Sequence, residues 1–270
     1  MPDWIPTAAS VLNRPRGFGP MLFVLWAGVF GGVLGPAPLF GQPTISSDRP
    51  GLGSGSVVVA PGMLQFELGG EYADEGEDAD RIALGQALVR YGVVDGFELQ
   101  GLLGSFTVLR AGDVAAEGIQ DIGMGAKVRL PVPGDAWSWS LLGSVLLPTG
   151  GSLFTADAVV PSVTLLADFA VADGVGLAIN VGSSGFASKA GDQVSLIVTP
   201  SVSLPGDRPL AIFAGYAGYF ASGDADLHFA EAGLTWLRGP DLQLDLNAGV
   251  EVDTGVYFVG IGVARRWPTR

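Results

Sequence analysis

The chain has 270 residues, no cysteine and a formal net charge of −13. The missing cysteines exclude disulfides and thiolate metal sites, and an acidic chain without a Lys/Arg cluster lacks the cations that nucleic-acid phosphates and anionic lipid require. Only 15% of residues are charged, yet past the N-terminus no apolar run reaches the ~20 residues of a membrane-spanning helix. Forty-two glycines weaken helices further. Such a chain must present its hydrophobic residues by alternation, as a lipid-facing β-barrel does.

In chain order, Arg14 and Arg16 precede an apolar stretch, Met21 to Leu34, and then small residues and prolines through Pro38. This predicts an export signal peptide over residues 1–41, with cleavage near Gly41/Gln42. The alternative, a membrane anchor helix, is opposed by the Gly and Pro that interrupt the stretch and by the lack of a stop-transfer flank. Residues 42–61 are rich in Pro, Gly and Ser and predict a periplasmic lead-in. From residue 62 to 267 the pattern alternates with period two, which predicts an all-β, transmembrane, antiparallel up-and-down barrel of about twelve strands. Residues 268–270 form a short tail.

The first strand is Met63 to Tyr72, with Leu64, Phe66 and Leu68 opposite Gln65, Glu67 and Glu71. The acidic stretch Asp74–Asp80 should break it. A second strand covers Ile82 to Tyr91, followed by the tight turn Val93–Gly96. The third begins at Phe97 and gives way to a connection over Arg110–Gly118. The fourth ends at Lys127-Val128-Arg129-Leu130, and the fifth is Trp137–Leu147, followed by a loop, Pro148–Asp157. The remaining strands are Val159–Phe169, Val175–Ser183, Val194–Leu204, Leu210–Tyr219, Leu227–Leu237, Leu242–Glu251 and Val256–Trp267. In the ninth, Ile212, Phe213 and Tyr216 leave the inward face open. Short turns alternate with mostly longer loops, the asymmetry of an outer-membrane barrel.

Aromatic residues support the same reading. On the lipid parity, Tyr91, Phe97, Trp139, Phe169, Trp236 and Trp267 fall at turn-side strand ends, and Tyr72 and Tyr257 at loop-side ends. Two such girdles belong where strands cross the membrane interfaces. A soluble β-sandwich would not place aromatics on its solvent face in this way.

Further residues carry a family likeness. Asp48-Arg49-Pro50, Pro61-Gly62 with Gln65-Phe66-Glu67, Arg90-Tyr91-Gly92 with Phe97-Glu98-Leu99, and Gln120 through Lys127 occur in that order. They are followed by Leu147-Pro148-Thr149-Gly150, Asp241 through Asp245, and Tyr257-Phe258-Val259-Gly260. The chain thereby resembles the meta-pathway phenol-degradation family of outer-membrane transporter barrels over nearly its whole mature length. The resemblance implies a barrel that passes small, often hydrophobic compounds. Such barrels usually end on an aromatic residue that the assembly machinery reads. Here Trp267 precedes Pro268-Thr269-Arg270, a departure from that pattern.

The parity opposite the lipid face lines the lumen. On the turn side it carries Glu67, Arg90, Glu98, Lys127, Arg129, Asp245 and Arg266, with signs alternating around adjacent strands about 4.8 Å apart, so the charges can pair across the wall. The opposite wall, including Ser140, Leu166, Asp168, Asn180, Ile197 and Thr199, is mostly hydroxyl and aliphatic. Twelve strands leave a lumen of roughly 5–6 Å radius, enough for a small aromatic or a sugar. The charged belt either satisfies buried polar groups or lines a permeation path. Residues 42–61 are either a disordered tail or a plug in the periplasmic mouth, with Asp48 and Arg49 joining the belt and Val57–Val59 covering apolar lumen surface.

The functional expectation is passive passage of small hydrophobic or aromatic solutes. A structural barrel without an open pore is the alternative, and an outer-membrane lipid-modifying enzyme is third. That third reading rests on His228, the single histidine, with Ser222, Asp224 and Asp226 nearby. But His228 shares parity with Leu234 and Trp236, which points it at lipid. The Asp74–Asp80 stretch reads as a solvated acidic loop rather than a divalent-cation site. No cofactor, metal or catalytic residue is expected. The expected partners are outer-membrane lipid and lipopolysaccharide, the barrel assembly machinery and a small hydrophobic solute.

Overall fold

A computed structural model describes residues 44–49, 51–76, 78–132, 136–186, 188–189, 191–204, 209–222 and 224–269. The expected signal peptide, with Arg14 and Arg16, lies outside these residues, as do Gln42 and Pro50. Every regular element described is a strand: β1 (Met63–Gly76), β2 (Ala79–Val94), β3 (Phe97–Leu103), β4 (Phe106–Ala111), β5 (Val114–Ile119), β6 (Ile122–Leu130), β7 (Trp137–Leu147), β8 (Val160–Ala172), β9 (Val175–Ser184), β10 (Gln193–Ser203), β11 (Leu210–Ala221), β12 (Leu227–Leu237), β13 (Leu242–Glu251) and β14 (Tyr257–Pro268).

All pair antiparallel in one sheet, and β1 pairs with both β2 and β14, which closes the ring. The first half of β2 pairs with β4 and its second half with β3, while β5 pairs with β4 and β6 with β3. So β3 with β4, and β5 with β6, are single strands creased in the middle. The fourteen segments therefore build a barrel of twelve strands. The expected connection over Arg110–Gly118 is instead the tip and second arm of the β4–β5 hairpin. Its alternation is weak because, among the described residues, β5 pairs only with β4.

The crease has a local cause. A Cβ at Gly104 would overlap the carbonyl oxygen of Gln120, so only glycine allows the two creased strands to approach here. Ser105 Oγ donates to Gln120 Oε1 at 2.5 Å, and Gln120 N donates to Ser105 O at 2.9 Å. Beyond the crease, the Pro148–Asp157 loop folds against the unpaired side of β5. Gly151 N donates to Ile119 O at 2.8 Å, and the buried Phe154 ring lies over Gly118. The Asp121 carboxylate gathers the N–H groups of Thr149, Gly150 and Ala156 at 2.9, 2.8 and 2.9 Å.

A second departure from simple alternation is in β2. Gly69 and Gly70 of β1 face Gln86 and Leu84, so Gly85 is an extra residue, and its φ is +75°. This bulge reverses the inward parity: Ala79, Arg81 and Ala83 are buried before it, Gln86, Leu88 and Arg90 after it. β2 thus starts before Ile82, and most of the Asp74–Asp80 stretch expected as a loop is strand. Two of its carboxylates meet arginines: Glu75, together with Glu71, holds Arg81 at 2.6 and 2.8 Å, and Asp80 approaches Arg110 at 3.8 Å.

Elsewhere the alternation decides the faces. Large apolar residues such as Leu99, Leu141, Val181, Leu246 and Ile261 are exposed to the surroundings, while polar and charged ones are buried inside. That inversion identifies a wall that faces lipid. In β11, Ala211, Phe213, Ala217 and Tyr219 face inward, and Ile212 and Tyr216 outward. At the end with the short turns, Phe169 meets Trp137 and Trp139 edge-on at 5.5 and 6.3 Å, and Arg238 covers Trp236 at 4.5 Å.

Candidate functional site

Residues 44–49 and 51–60 precede β1 and run inside the barrel. Ile45 N donates to Pro240 O at 2.6 Å, at the turn between β12 and β13. The segment rises into the lumen and returns to β1, where Gly62 N donates to Gly92 O at 2.8 Å. In between it touches lumen-facing side chains of β1, β2, β3, β6, β7, β8, β9, β12 and β13.

Four belt residues expected from parity meet at one point. Arg90 grips Glu98 with Nε and Nη2 at 2.8 and 3.0 Å, and its Nη1 reaches Glu67 at 3.2 Å. Nη1 and Nη2 also donate to the carbonyls of Ser46 and Val57 at 3.1 and 2.8 Å. Lys127 Nζ donates to both oxygens of Asp48 at 2.9 and 2.8 Å and to Gly55 O at 2.8 Å. Asp48 lies 3.4 Å from Arg90, and Ser47 Oγ donates to Glu67 at 2.7 Å. Arg90, Lys127, Glu67 and Glu98 have no solvent exposure. A buried charge is tolerated only with nearly all its donors or acceptors satisfied, and the segment's backbone supplies much of that satisfaction.

The other belt residues are placed differently. Arg49 takes its own site, with Nη1 donating to Gln86 Oε1 at 3.2 Å and Nε 3.9 Å from Asp245. Asp245 is buried, and neither of its oxygens has a hydrogen-bond partner. Arg266 faces inward but pairs with Asp241 of the adjoining turn at 2.8 Å. Arg129 does not join the belt: it is exposed and pairs with Asp95 of the adjacent β2–β3 turn at 3.3 Å. It sits one step beyond Lys127 on the same face, where the strand has already reached the rim.

Parity alone did not single out what holds the far side of the segment. Glu231 accepts Leu52 N with both oxygens at 3.1 and 2.9 Å. Asn180 accepts Ser54 N at 2.6 Å and donates to Ser54 O at 2.9 Å, imitating a strand partner. Asp168 accepts Ser56 N and Oγ, both at 2.6 Å, and Ser140 Oγ donates to Ser56 O at 2.6 Å. The alternate N–H groups of residues 52, 54 and 56 thus meet three wall acceptors, which suits an extended peptide. Small residues are needed here, since a Cβ at Gly53 would stand 2.6 Å from Asn180 Oδ1. The segment's tip, Leu52, packs into an apolar cluster of Ala73, Ile197, Ala217, Tyr219, Phe229 and Phe258. Val58 and Val59 are buried as well.

His228 lies on the outer face. Its Nδ1 is 2.7 Å from the Tyr216 hydroxyl, and its ring contacts Tyr216 and Phe220. Glu251 accepts its backbone N–H at 3.0 Å, not its ring. Among the described residues, no serine is bonded to the imidazole.

Over residues 47–267 the sequence matches the family described as "Putative MetA-pathway of phenol degradation". No curated protein sequence matches the chain. Among solved structures, an outer membrane channel from Pseudomonas putida F1 is similar with a TM-score of 0.59 at 11% identity, covering 78% of this chain and 97% of that one. The KdgM porin is similar with a TM-score of 0.52 at 13% identity, over 74% of this chain and 98% of its own. The NanC porin is similar with a TM-score of 0.51 at 11% identity, over the same shares, 74% and 98%. At such identities the likeness is one of fold.

Proposed function

The chain belongs to this phenol-degradation family, and on that premise we propose that it is an outer-membrane channel through which small hydrophobic or aromatic solutes diffuse passively, with residues 44–60 as its gate. One observation carries the reading. The wall closes through its own twelve-strand ladder, whereas the segment that fills the lumen belongs to no strand and is held by side chains. It can leave without opening the wall. An apolar surface, from Leu166 and Ile197 to Phe229 and Phe258, then lines part of the path and suits an uncharged aromatic better than a sugar. Export by a signal peptide over residues 1–41, insertion by the barrel assembly machinery and contact with lipopolysaccharide complete the proposal. No step of it requires a catalytic residue, so it describes no enzyme.

A second reading, a barrel that never opens, is favoured by the complete burial of Arg90, Lys127, Glu67 and Glu98. Deleting residues 44–56 separates the two. A gate predicts higher conductance in planar bilayers and faster uptake of a small aromatic, with the barrel still folded. Unchanged permeability in a correctly assembled barrel would support the closed structural barrel instead.

A further inference from the structure

The cations of the lumen are already neutralised by carboxylates of the barrel. Glu71 and Glu75 hold Arg81, Glu67 and Glu98 hold Arg90, and Glu98 lies 3.9 Å from Lys127. Arg266 pairs with Asp241. Among the described residues, the inward carboxylates Asp168 of β8, Glu231 of β12 and Asp245 of β13 pair with no barrel Lys or Arg, and Asp245 has only Arg49 of the segment, at 3.9 Å. They are 5%, 5% and 3% exposed.

What these three face is the N-terminal segment. Asp168 takes the N–H and hydroxyl of Ser56, Glu231 takes the N–H of Leu52, and Asp245 has only the distant Arg49 guanidinium. Even with the segment in place, Asp168 Oδ1 and both Asp245 oxygens have no hydrogen-bond partner. When the segment withdraws, Asp168 and Glu231 lose their donors and Asp245 loses the Arg49 guanidinium. The segment's own charges, Asp48 and Arg49, cancel, so its departure leaves the negative excess intact.

We propose that the open path is cation-selective and that Asp168, Glu231 and Asp245 set this selectivity, a proposal that rests on the channel reading above. Fixed carboxylates in a narrow path with low-dielectric walls concentrate cations and repel anions. Ammonium or N–H groups can satisfy the same oxygens that Ser56 and Leu52 satisfy in the closed state. The solute class is therefore neutral or cationic, and acidic solutes bearing carboxylate, phosphate or sulfate are excluded.

Zero-current potentials of the full chain in planar bilayers under a KCl gradient test this. The potassium-to-chloride permeability ratio is expected to exceed unity severalfold, and to fall towards unity in the triple variant D168N/E231Q/D245N. If the triple variant fails to show heat-modifiable gel mobility, the three single variants are each expected to lower the ratio by part of that change. Absent or reversed preference in the unaltered protein overturns the selectivity. An unchanged ratio in folded variants overturns the assignment to these residues. A folded barrel passing no current, with or without residues 44–56, overturns the channel reading instead.

Discussion

Asp48 and Lys127 form a buried ion pair between the N-terminal segment and the barrel wall. Removing one member of a buried ion pair typically costs about 3–5 kcal/mol, because the partner charge stays buried without compensation. In Lys127→Met the Asp48 carboxylate keeps the 3.4 Å contact to Arg90 but loses both lysine bonds. The molecule can escape this penalty by releasing the segment. The variant is therefore expected to be cut by proteinase K within residues 44–60 well before the barrel itself; cleavage no faster than in the unaltered protein would show that the pair does not hold the segment. Two glycines provide a graded comparison. A Cβ at Gly69 would overlap the Arg49 guanidinium, whereas a Cβ at Gly92 would overlap the carbonyl oxygen of Ala60. A guanidinium can swing aside and a backbone carbonyl cannot, so Gly92→Ala is expected to loosen the segment more than Gly69→Ala, read by the same cleavage.

At the scale of elements, the bulge at Gly85 controls which way β2 faces. Deleting Gly85 restores strict alternation and turns the residues before it outward. Arg81 would then leave Glu71 and Glu75 for lipid, which costs up to ~2–4 kcal/mol for an arginine at the bilayer midplane and less near an interface. The lost ion pairs add to that, and a sharp drop in heat-modifiable, folded barrel is expected; normal assembly would mean that the first half of β2 tolerates either face. The Pro148–Asp157 loop depends on Asp121 in a similar way. Asp121→Ala leaves three backbone N–H groups without their acceptor, at about 1–3 kcal/mol for each one that stays buried. This loop is expected to become the preferred site of proteolysis, while the β6–β7 pairing below it persists.

For the whole molecule, the ladder of the closed ring and the contents of its lumen are separable. Every strand has its backbone partners from other strands, except β5 along one side, and a barrel without residues 44–56 is expected to keep its strand-rich circular dichroism and heat-modifiable mobility. The cost appears inside, where Glu67, Asp168, Glu231 and Arg90 lose backbone partners. Water can replace those partners once the lumen is open, so the loss should lower the unfolding temperature without preventing assembly.

Alternation, aromatic placement and turn chemistry were enough to derive an antiparallel barrel of about twelve strands and the inward face of Glu67, Arg90, Glu98 and Lys127. The reason is local: in a strand the side-chain period is two, and lipid demands an apolar residue at every outward position. The alternation could not reveal a bulge, because one extra residue shifts the parity only after it, and so Arg81 went unassigned. Nor did it find the crease, since Gly104 is informative only beside the Gln120 carbonyl, sixteen positions later in the chain. It left the face of Phe213 open, because a lumen that contains a peptide accepts an aromatic as readily as a membrane does. Arg129 and Lys127 have the same parity, and only strand length past the rim separates a mouth residue from a buried one. The course of residues 44–60 was decided entirely by tertiary structure. A Gly/Ser-rich segment has no periodicity of its own, and its path is set by donors and acceptors that nine different strands bring to one lumen.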